Sequence, residues 1–377
     1  MTSRRVRRSS ERPNFTMVDL FSGCGGLTEG FTAVRDRWAR FIPVGAVELD
    51  RYAAATYAAN FGPVVHEGDI SDWLGVGLPS ADVVVGGPPC QGFSALGKRD
   101  PGDDRNKLWT RYAEVVASIK PLYFVLENVP PFLKSEQFRQ LQEATEPTGE
   151  LCDYTLDGSP LTLYASEHGS AQKRRRAVVI GRLRDLPPVE LPRVSVVRTV
   201  HDAIGSTRRN VSTKDLPART ARIKVSNGSI DVPGVFVTSD LHITRNFTEL
   251  SLQRFAAIKV GGNRHDLPDE LRAPCWLNHS GGSHDVMGRL HWDRPAVTIR
   301  TEFWKPEKGR YLHPVADRPI THMEAALLQG FPPEFRWCGT KISIGRQIGN
   351  AVPVELGRAI AGAMLDALGE AAATPRA

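Results

Sequence analysis

The residues best suited to chemistry fall in four short blocks, each beside an apolar run. In Gly86-Gly-Pro-Pro-Cys-Gln-Gly-Phe-Ser94, Cys90 follows two prolines just behind the run ADVVV. A packing cysteine usually sits inside an apolar face. This one is on a stiff turn at a strand's end, the partly exposed setting that a reactive thiolate needs. In Leu126-Glu-Asn-Val129, the carboxylate of Glu127 ends a nearly all-apolar strand, a position for an acid that gives or takes a proton. Gln172-Lys-Arg-Arg-Arg176 leads four consecutive cations into the run AVVIG, so some of them must point at the same cleft. The fourth block, Asp19-Leu-Phe-Ser-Gly-Cys-Gly-Gly26, reads as a strand, a glycine-rich turn and a helix start. Its glycines let a backbone approach a ligand closely, and the helix start offers free N–H groups. Glu48 ends the next strand, where a carboxylate can hold ribose hydroxyls, and Asp69 follows the third, within reach of an adenine amine. The spacing suits an adenosine-bearing cofactor, but the G-x-G-x-x-G pattern of nicotinamide enzymes is absent, since Thr28 follows the glycine cluster.

Positioning these groups requires an α/β fold. Apolar runs bounded by turn signals recur at 16–21, 43–49, 81–87, 122–128 and 176–183, with helix-like stretches at 51–60 and 108–119 between them. That alternation predicts a mostly parallel sheet with helices on both faces and ligands at the carboxyl ends of the strands. Past Leu183 the pattern breaks, and 184–290 reads as a smaller irregular module inserted into the first domain, which resumes over 291–371. PAVTIR (295–300) reads as a strand. Thr321-His-Met-Glu324 has the form of a capping box. After Pro353, apolar residues every four positions predict a closing amphipathic helix. Residues 1–13 read as a disordered basic arm and 372–377 as a tail.

The bulk composition agrees with a globular enzyme. The chain has 377 residues, 41% hydrophobic and 24% charged, and a net charge of +6. Five scattered cysteines without a C-x-x-C pair argue against a disulfide framework or a zinc site and for a reducing cytosol. No apolar run reaches the roughly 18 residues of a membrane helix. Residues 182–290 hold 16 Lys and Arg against 11 Asp and Glu, a basic segment suited to a polyanion or simply to water.

Taken in order, these blocks resemble the DNA (cytosine-5) methyltransferases. The likeness continues through Arg294-Pro-Ala-Val-Thr-Ile-Arg300, Leu328-Gln-Gly-Phe-Pro332 and Gln347-Ile-Gly-Asn-Ala-Val-Pro353. It implies a Rossmann-like domain that binds S-adenosylmethionine, no metal, and a target-recognition module at 184–290. It implies that Cys90 adds to carbon 6 of a flipped-out cytosine, that Glu127 serves ring N3, that Arg176 meets the base O2, and that Arg174 supports the nucleophile loop or a phosphate. The cofactor is expected against Phe21, Gly23, Gly25, Leu27, Glu48, Asp69, Ile70, Leu108, Asn350 and Val352, with Leu49 where some members carry an aromatic.

For DNA the resemblance points to Gln91, Ser94, Arg105, Gln172 and Thr298, with Ser94–Lys107 as a lid. Arg208, Arg209, Arg245, Asn246, Asn263 and Arg264 are candidates in the recognition module. The expected partner is double-stranded DNA, met by a monomer in a bacterial cytoplasm, with no stable complex to a cognate restriction endonuclease. Two other readings stay open: the branch of the family that methylates transfer RNA, and a non-catalytic DNA binder of the same fold.

Overall fold

The structure, a computed structural model, describes residues 12–34, 37–89, 108–157, 161–194, 196–277 and 285–373. Its centre is an eight-stranded sheet. The strands are β1 (Asn14–Leu20), β2 (Arg40–Glu48), β3 (Val65–Glu67), β4 (Val83–Gly86), β5 (Tyr123–Asn128), β6 (Tyr154–Leu156), β7 (Leu161–Tyr164) and, after the two-residue β8 (Gln172–Lys173) that lies outside the sheet, β9 (Arg175–Leu183). The order is β3-β2-β1-β4-β5-β9-β6, with β7 also pairing β9. The first five strands are parallel, and β9 runs antiparallel to β5, β6 and β7. Strand order reverses between β1 and β4, and an open sheet of this kind leaves a crevice at that switch point.

Central parallel strands are buried on both faces, which is why they read as continuous apolar runs. On β1, Met17 faces α1 (Gly26–Thr32), in a core shared with Leu27, Phe31, Val83 and Val85. Val18 and Leu20 face the other layer, with Val84 and Phe124. Asp50 caps α2 (Arg51–Phe61) by accepting the Tyr52 and Ala53 amides at 2.9 and 3.0 Å. Asp69 caps α3 (Ile70–Gly75) in the same way. The second face is completed by α4 (Leu108–Ile119) and α5 (Glu136–Ala144).

The middle of the chain departs from the expectation of one separate module. In order come α6 (Val200–Ile204), β10 (Thr220–Val225), β11 (Gly228–Pro233), β12 (Phe236–Val237), α7 (Glu249–Ala257), α8 (Pro274–Leu277), β13 (Ala296–Val297), α9 (His322–Leu328), β14 (Arg336–Trp337), α10 (Lys341–Asn350) and α11 (Val354–Ala373). Val200, Ile204, Phe236 and Leu241 share a core with Phe303, Leu328 and Ile344. Val225, Ile230 and Val232 pack on Ala46, Tyr57 and Val65. Among the described residues of 184–290, a distinct small core forms only around Phe255, Ile258, Leu267 and Met287, closed by Leu312.

PAVTIR likewise yields only the two ladder residues of β13, paired with β8. Beyond them, Ile299 bonds to side chains in place of a neighbouring strand. Its N–H donates to Gln172 Oε1 at 2.8 Å, and its carbonyl accepts from Arg174 at 3.0 Å. The capping box at Thr321 and Glu324 forms as predicted. Among the described residues no helix is long and apolar enough to cross a membrane.

The closing helix packs back beside β1: Leu356, Ile360 and Met364 of α11 join Met17 and Phe31. The approach is close because α1 carries Gly30, where a Cβ would lie 2.5 Å from the Val354 carbonyl oxygen and 2.6 Å from the Arg358 nitrogen. Gly30→Ala is therefore expected to lower stability by about 1–3 kcal/mol through overpacking. Denaturant unfolding would measure this, and an unchanged midpoint would show that the helices do not meet so tightly.

Candidate active site

One cavity of about 820 Å³ opens at the carboxyl ends of β1, β2, β4 and β5. Phe21, Gly23, Leu27, Glu48, Asp69, Ile70, Leu108, Asn350 and Val352 line it together with Glu127, Arg174 and Arg176. The positions expected to hold a cofactor and those expected to act on a base thus share one space.

The glycine turn is built for close approach. Phe21 has φ 56° and Gly23 φ 54°, and the Gly23 amide donates to Glu48 Oε2 at 2.8 Å. Glu48 Oε1 accepts the Asp50 amide at 2.7 Å, so its carboxylate is fixed at the mouth of the turn. Gly25 does not line the cavity. At φ 91° it backs the turn, and a Cβ there would meet the Phe61 ring at 2.3 Å, so its need for glycine comes from packing. Gly26 does line the cavity, and a Cβ on it would lie 2.5 Å from the Val352 carbonyl oxygen. This joins the turn to the segment after α10.

Glu127 ends β5 with its side chain 10% exposed, and the Arg176 Nε lies 2.6 Å from its Oε1. The approach is that of an ion pair without hydrogen-bond alignment, and among the described residues Oε1 has no hydrogen-bond donor. A Cβ at Gly87 would lie 3.0 Å from Glu127 Oε2, so the glycine leaves room for the carboxylate. The neighbouring Asn128 Nδ2 donates to the Pro88 carbonyl at 3.0 Å, tying the Gly87–Pro89 turn to β5. Cys90, Gln91, Ser94, Arg105 and the remainder of the expected lid lie outside the described residues.

The polar run that opens β9 alternates. Gln172, Arg174 and Arg176 turn inward, while Lys173 and Arg175 are exposed. Arg174 is buried, and its Nη1 donates to the Ile299 and Gly349 carbonyls, both at 3.0 Å. Its Nη2 donates to the Asn350 carbonyl at 3.3 Å. Burial, then the charge of Arg176, pushes its guanidinium down to about 9. Gln172, expected at the DNA, is fully buried here, accepts from the Ile299 amide at 2.8 Å and donates to Gln329 Oε1 at 2.7 Å. Thr298 is half-buried and does not line the cavity; its hydroxyl donates to the Lys173 carbonyl at 3.3 Å.

In the middle segment Arg264 is buried, contrary to its candidacy as a DNA contact, and Asn263 is engaged in capping, accepting the His265 amide at 2.9 Å. Arg208, Arg209, Arg245 and Asn246 are exposed.

Sequence reasoning missed several contributors to the lining, three of which bear on its chemistry. Ser343 and Arg346 stand on α10, and Arg346 is one turn before Asn350, an i, i+4 spacing that could have revealed it. The third, Asp19, is an acid inside the apolar strand β1. It is 1% exposed and accepts the Thr28 hydroxyl at 2.6 Å; that hydroxyl also lies 3.1 Å from the Tyr57 hydroxyl. Burial is the main cause that raises the Asp19 carboxyl to about 7, against the lowering effect of the Thr28 bond. Of the other cysteines, Cys24 and Cys338 are buried, with thiols pushed up by desolvation, and the exposed Cys152 and Cys275 do not line the cavity.

Because the folded protein holds the Asp19 proton more tightly than the unfolded chain, stability should fall as pH rises from about 4 through about 7. Asp19→Asn is expected to flatten that decline and to add roughly 2–4 kcal/mol at pH 8 relative to wild type. Urea unfolding at pH 5 and pH 8 reads it directly, and identical pH dependence in both proteins would contradict the buried acid.

Comparison with known proteins follows the same lines. A family model described as C-5 cytosine-specific DNA methylase matches residues 15–366. The chain is 33% identical to the Type II methyltransferase M.XorII of Xanthomonas oryzae pv. oryzae, over 93% of this chain and 84% of that protein. It is 34% identical to the Type II methyltransferase M1.HphI of Haemophilus parahaemolyticus, over 93% and 87%. A solved structure described as a DNA modification methyltransferase encoded within a prophage (E. coli) superposes with a TM-score of 0.68 at 25% identity, covering 94% of this chain and 99% of that one.

Proposed function

Because the chain belongs to the C-5 cytosine-specific DNA methylase family and is a DNA cytosine-5 methyltransferase of the Type II restriction-modification kind, we propose that it takes its methyl group from S-adenosylmethionine and works through a covalent Cys90 adduct. The observation that carries this reading is the shared cavity, with Glu48, Asn350 and the glycine turn on one part of its wall and Glu127 and Arg176 on another.

The wall fits the cofactor. Gly23 leaves open the space a Cβ would take, Glu48 is placed for a diol, and Asp69 stands at the start of α3 for an adenine amine. Bound there, S-adenosylmethionine supplies an electrophilic methyl group. Leu49 is 71% exposed and gives adenine an aliphatic surface where an aromatic ring would stack.

Cytosine carbon 5 is a weak nucleophile until carbon 6 is attacked. Addition of the Cys90 thiolate to carbon 6 makes the ring an enamine, splitting one hard step into two easier ones. Cys90 follows Pro89, which lines the cavity on the turn held by Asn128. The four described cysteines are buried or away from the cavity, which supports Cys90 as the nucleophile. Glu127, with an Oε1 that lacks a donor, suits ring N3 and the adjacent exocyclic amine, and Arg176 holds it in place while reaching O2. After methylation the carbon 5 proton leaves and Cys90 is expelled. The base must be out of the duplex for any of this, at a cost of a few kcal/mol.

DNA is read by the middle segment, in which we assign target recognition to the part built on the Phe255–Met287 core. A cognate restriction endonuclease would act on the same sequence without forming a complex.

Nucleoside mass spectrometry of unmethylated genomic DNA incubated with protein and S-adenosylmethionine tests the reaction. Wild type is expected to form 5-methyldeoxycytidine. Cys90→Ala should form none while binding cofactor within a few-fold of wild type. Glu127→Gln should slow turnover by roughly 10²–10⁴-fold. Full activity in Cys90→Ala would remove the nucleophile. Product on transfer RNA alone would favour the RNA branch, and no product on either nucleic acid would favour a non-catalytic binder.

A further inference from the structure

The run Gln172–Arg176 presents two cations that the reaction does not use. Alternation puts Lys173 and Arg175 on the face opposite Arg174 and Arg176, and both are exposed. Arg175 lies directly across the β7–β9 ladder from Tyr164. The Lys173 Nζ is 5.5 Å and the Arg175 guanidinium carbon 5.8 Å from the centroid of that one ring. Among the described residues neither side chain has a hydrogen bond or ion pair, and the nearby Glu167 is turned to Arg193, 3.7 Å away.

Two like charges on one ring repel each other, and a cation over an exposed ring gains only about 0.5–1 kcal/mol. An anion between them would relieve the repulsion. Their place suggests which anion. The Lys173 carbonyl accepts from the Thr298 hydroxyl, and Arg175 directly precedes Arg176, which lines the cavity. A duplex that feeds a cytosine into this cavity must carry its sugar-phosphate backbone past the start of β9, where Arg176 enters the cavity.

We infer that Lys173 and Arg175, braced on Tyr164, form a backbone-phosphate contact beside the flipped nucleotide. Gln172, Arg174 and Arg176 turn inward, so the contact falls to the two residues of the run that face outward. The inference rests on the reading of the cavity as the site of cytosine methylation.

The test is the salt dependence of binding to a short labelled DNA duplex by wild type, by Lys173→Gln/Arg175→Gln, and by the charge-keeping Lys173→Arg/Arg175→Lys. The neutral pair is expected to reduce the slope of log affinity against log salt by about one for each phosphate it no longer neutralises. Turnover at saturating DNA should stay within about two-fold of wild type, and the charge-keeping pair should restore the slope. An unchanged slope in the neutral pair, or an equally reduced slope in the charge-keeping pair, would overturn the inference. Methylation by wild type on the same DNA, measured in parallel, tests the reaction itself, so failure of one reading is distinguishable from failure of the other.

Discussion

A buried pair of glutamines and one arginine hold the site together. Gln172 joins the Ile299 amide to Gln329, whose Nε2 in turn donates to the Ile348 carbonyl, and Arg174 adds bonds to Ile299, Gly349 and Asn350. Four segments far apart in sequence are fixed by these few bonds. In the interior each donor and acceptor must be matched, since an orphaned one costs roughly 1–3 kcal/mol. The strap therefore tolerates one arrangement. It fixes Asn350 and the start of β9 with Arg176 in the wall of the cavity, and it replaces the strand ladder that would otherwise continue past Val297.

Around that strap the charged groups divide the work. Arg174 is held by carbonyls and gives structure, whereas Arg176 is paired with Glu127 and faces the cavity. Glu48 is oriented by two backbone amides, and Asp19 is buried behind the turn with Thr28. In the proposed reaction Glu127 and Arg176 meet the base and Glu48 meets the cofactor, while the outward cations meet the DNA backbone.

Much of this was legible in the sequence because strand ends and caps have local signatures. Glu48, Asp69, Glu127 and Asn350 were found from residue type at the end of an apolar run or within a motif, and all line one cavity. The capping box at Thr321 and the helix after Pro353 depend on neighbours in the chain and formed as read. What was not legible depends on partners remote in sequence. An amide such as Gln172 can serve a ligand or a distant carbonyl equally well, and only the fold reveals Gln329 beside it. Val225, Ile230 and Val232 announce a core without saying whose, and the core proved to be that of Ala46 and Tyr57. Gly25 was expected to face the ligand and instead faces Phe61. A period-two reading of Gln172–Arg176 would have separated inward from outward residues, had the run been treated as a strand.

The central claim is that Cys90 bonds to the base while the cofactor methylates it. Its most direct measurement uses duplex DNA with 5-fluorocytosine at the target position, where fluorine replaces the proton that must leave. With S-adenosylmethionine present, wild type should form a complex that survives denaturation, with the mass of protein, DNA and one added methyl group; Cys90→Ala should form none. Normal methylation of ordinary DNA without any such complex on the fluorinated duplex would contradict covalent catalysis at Cys90.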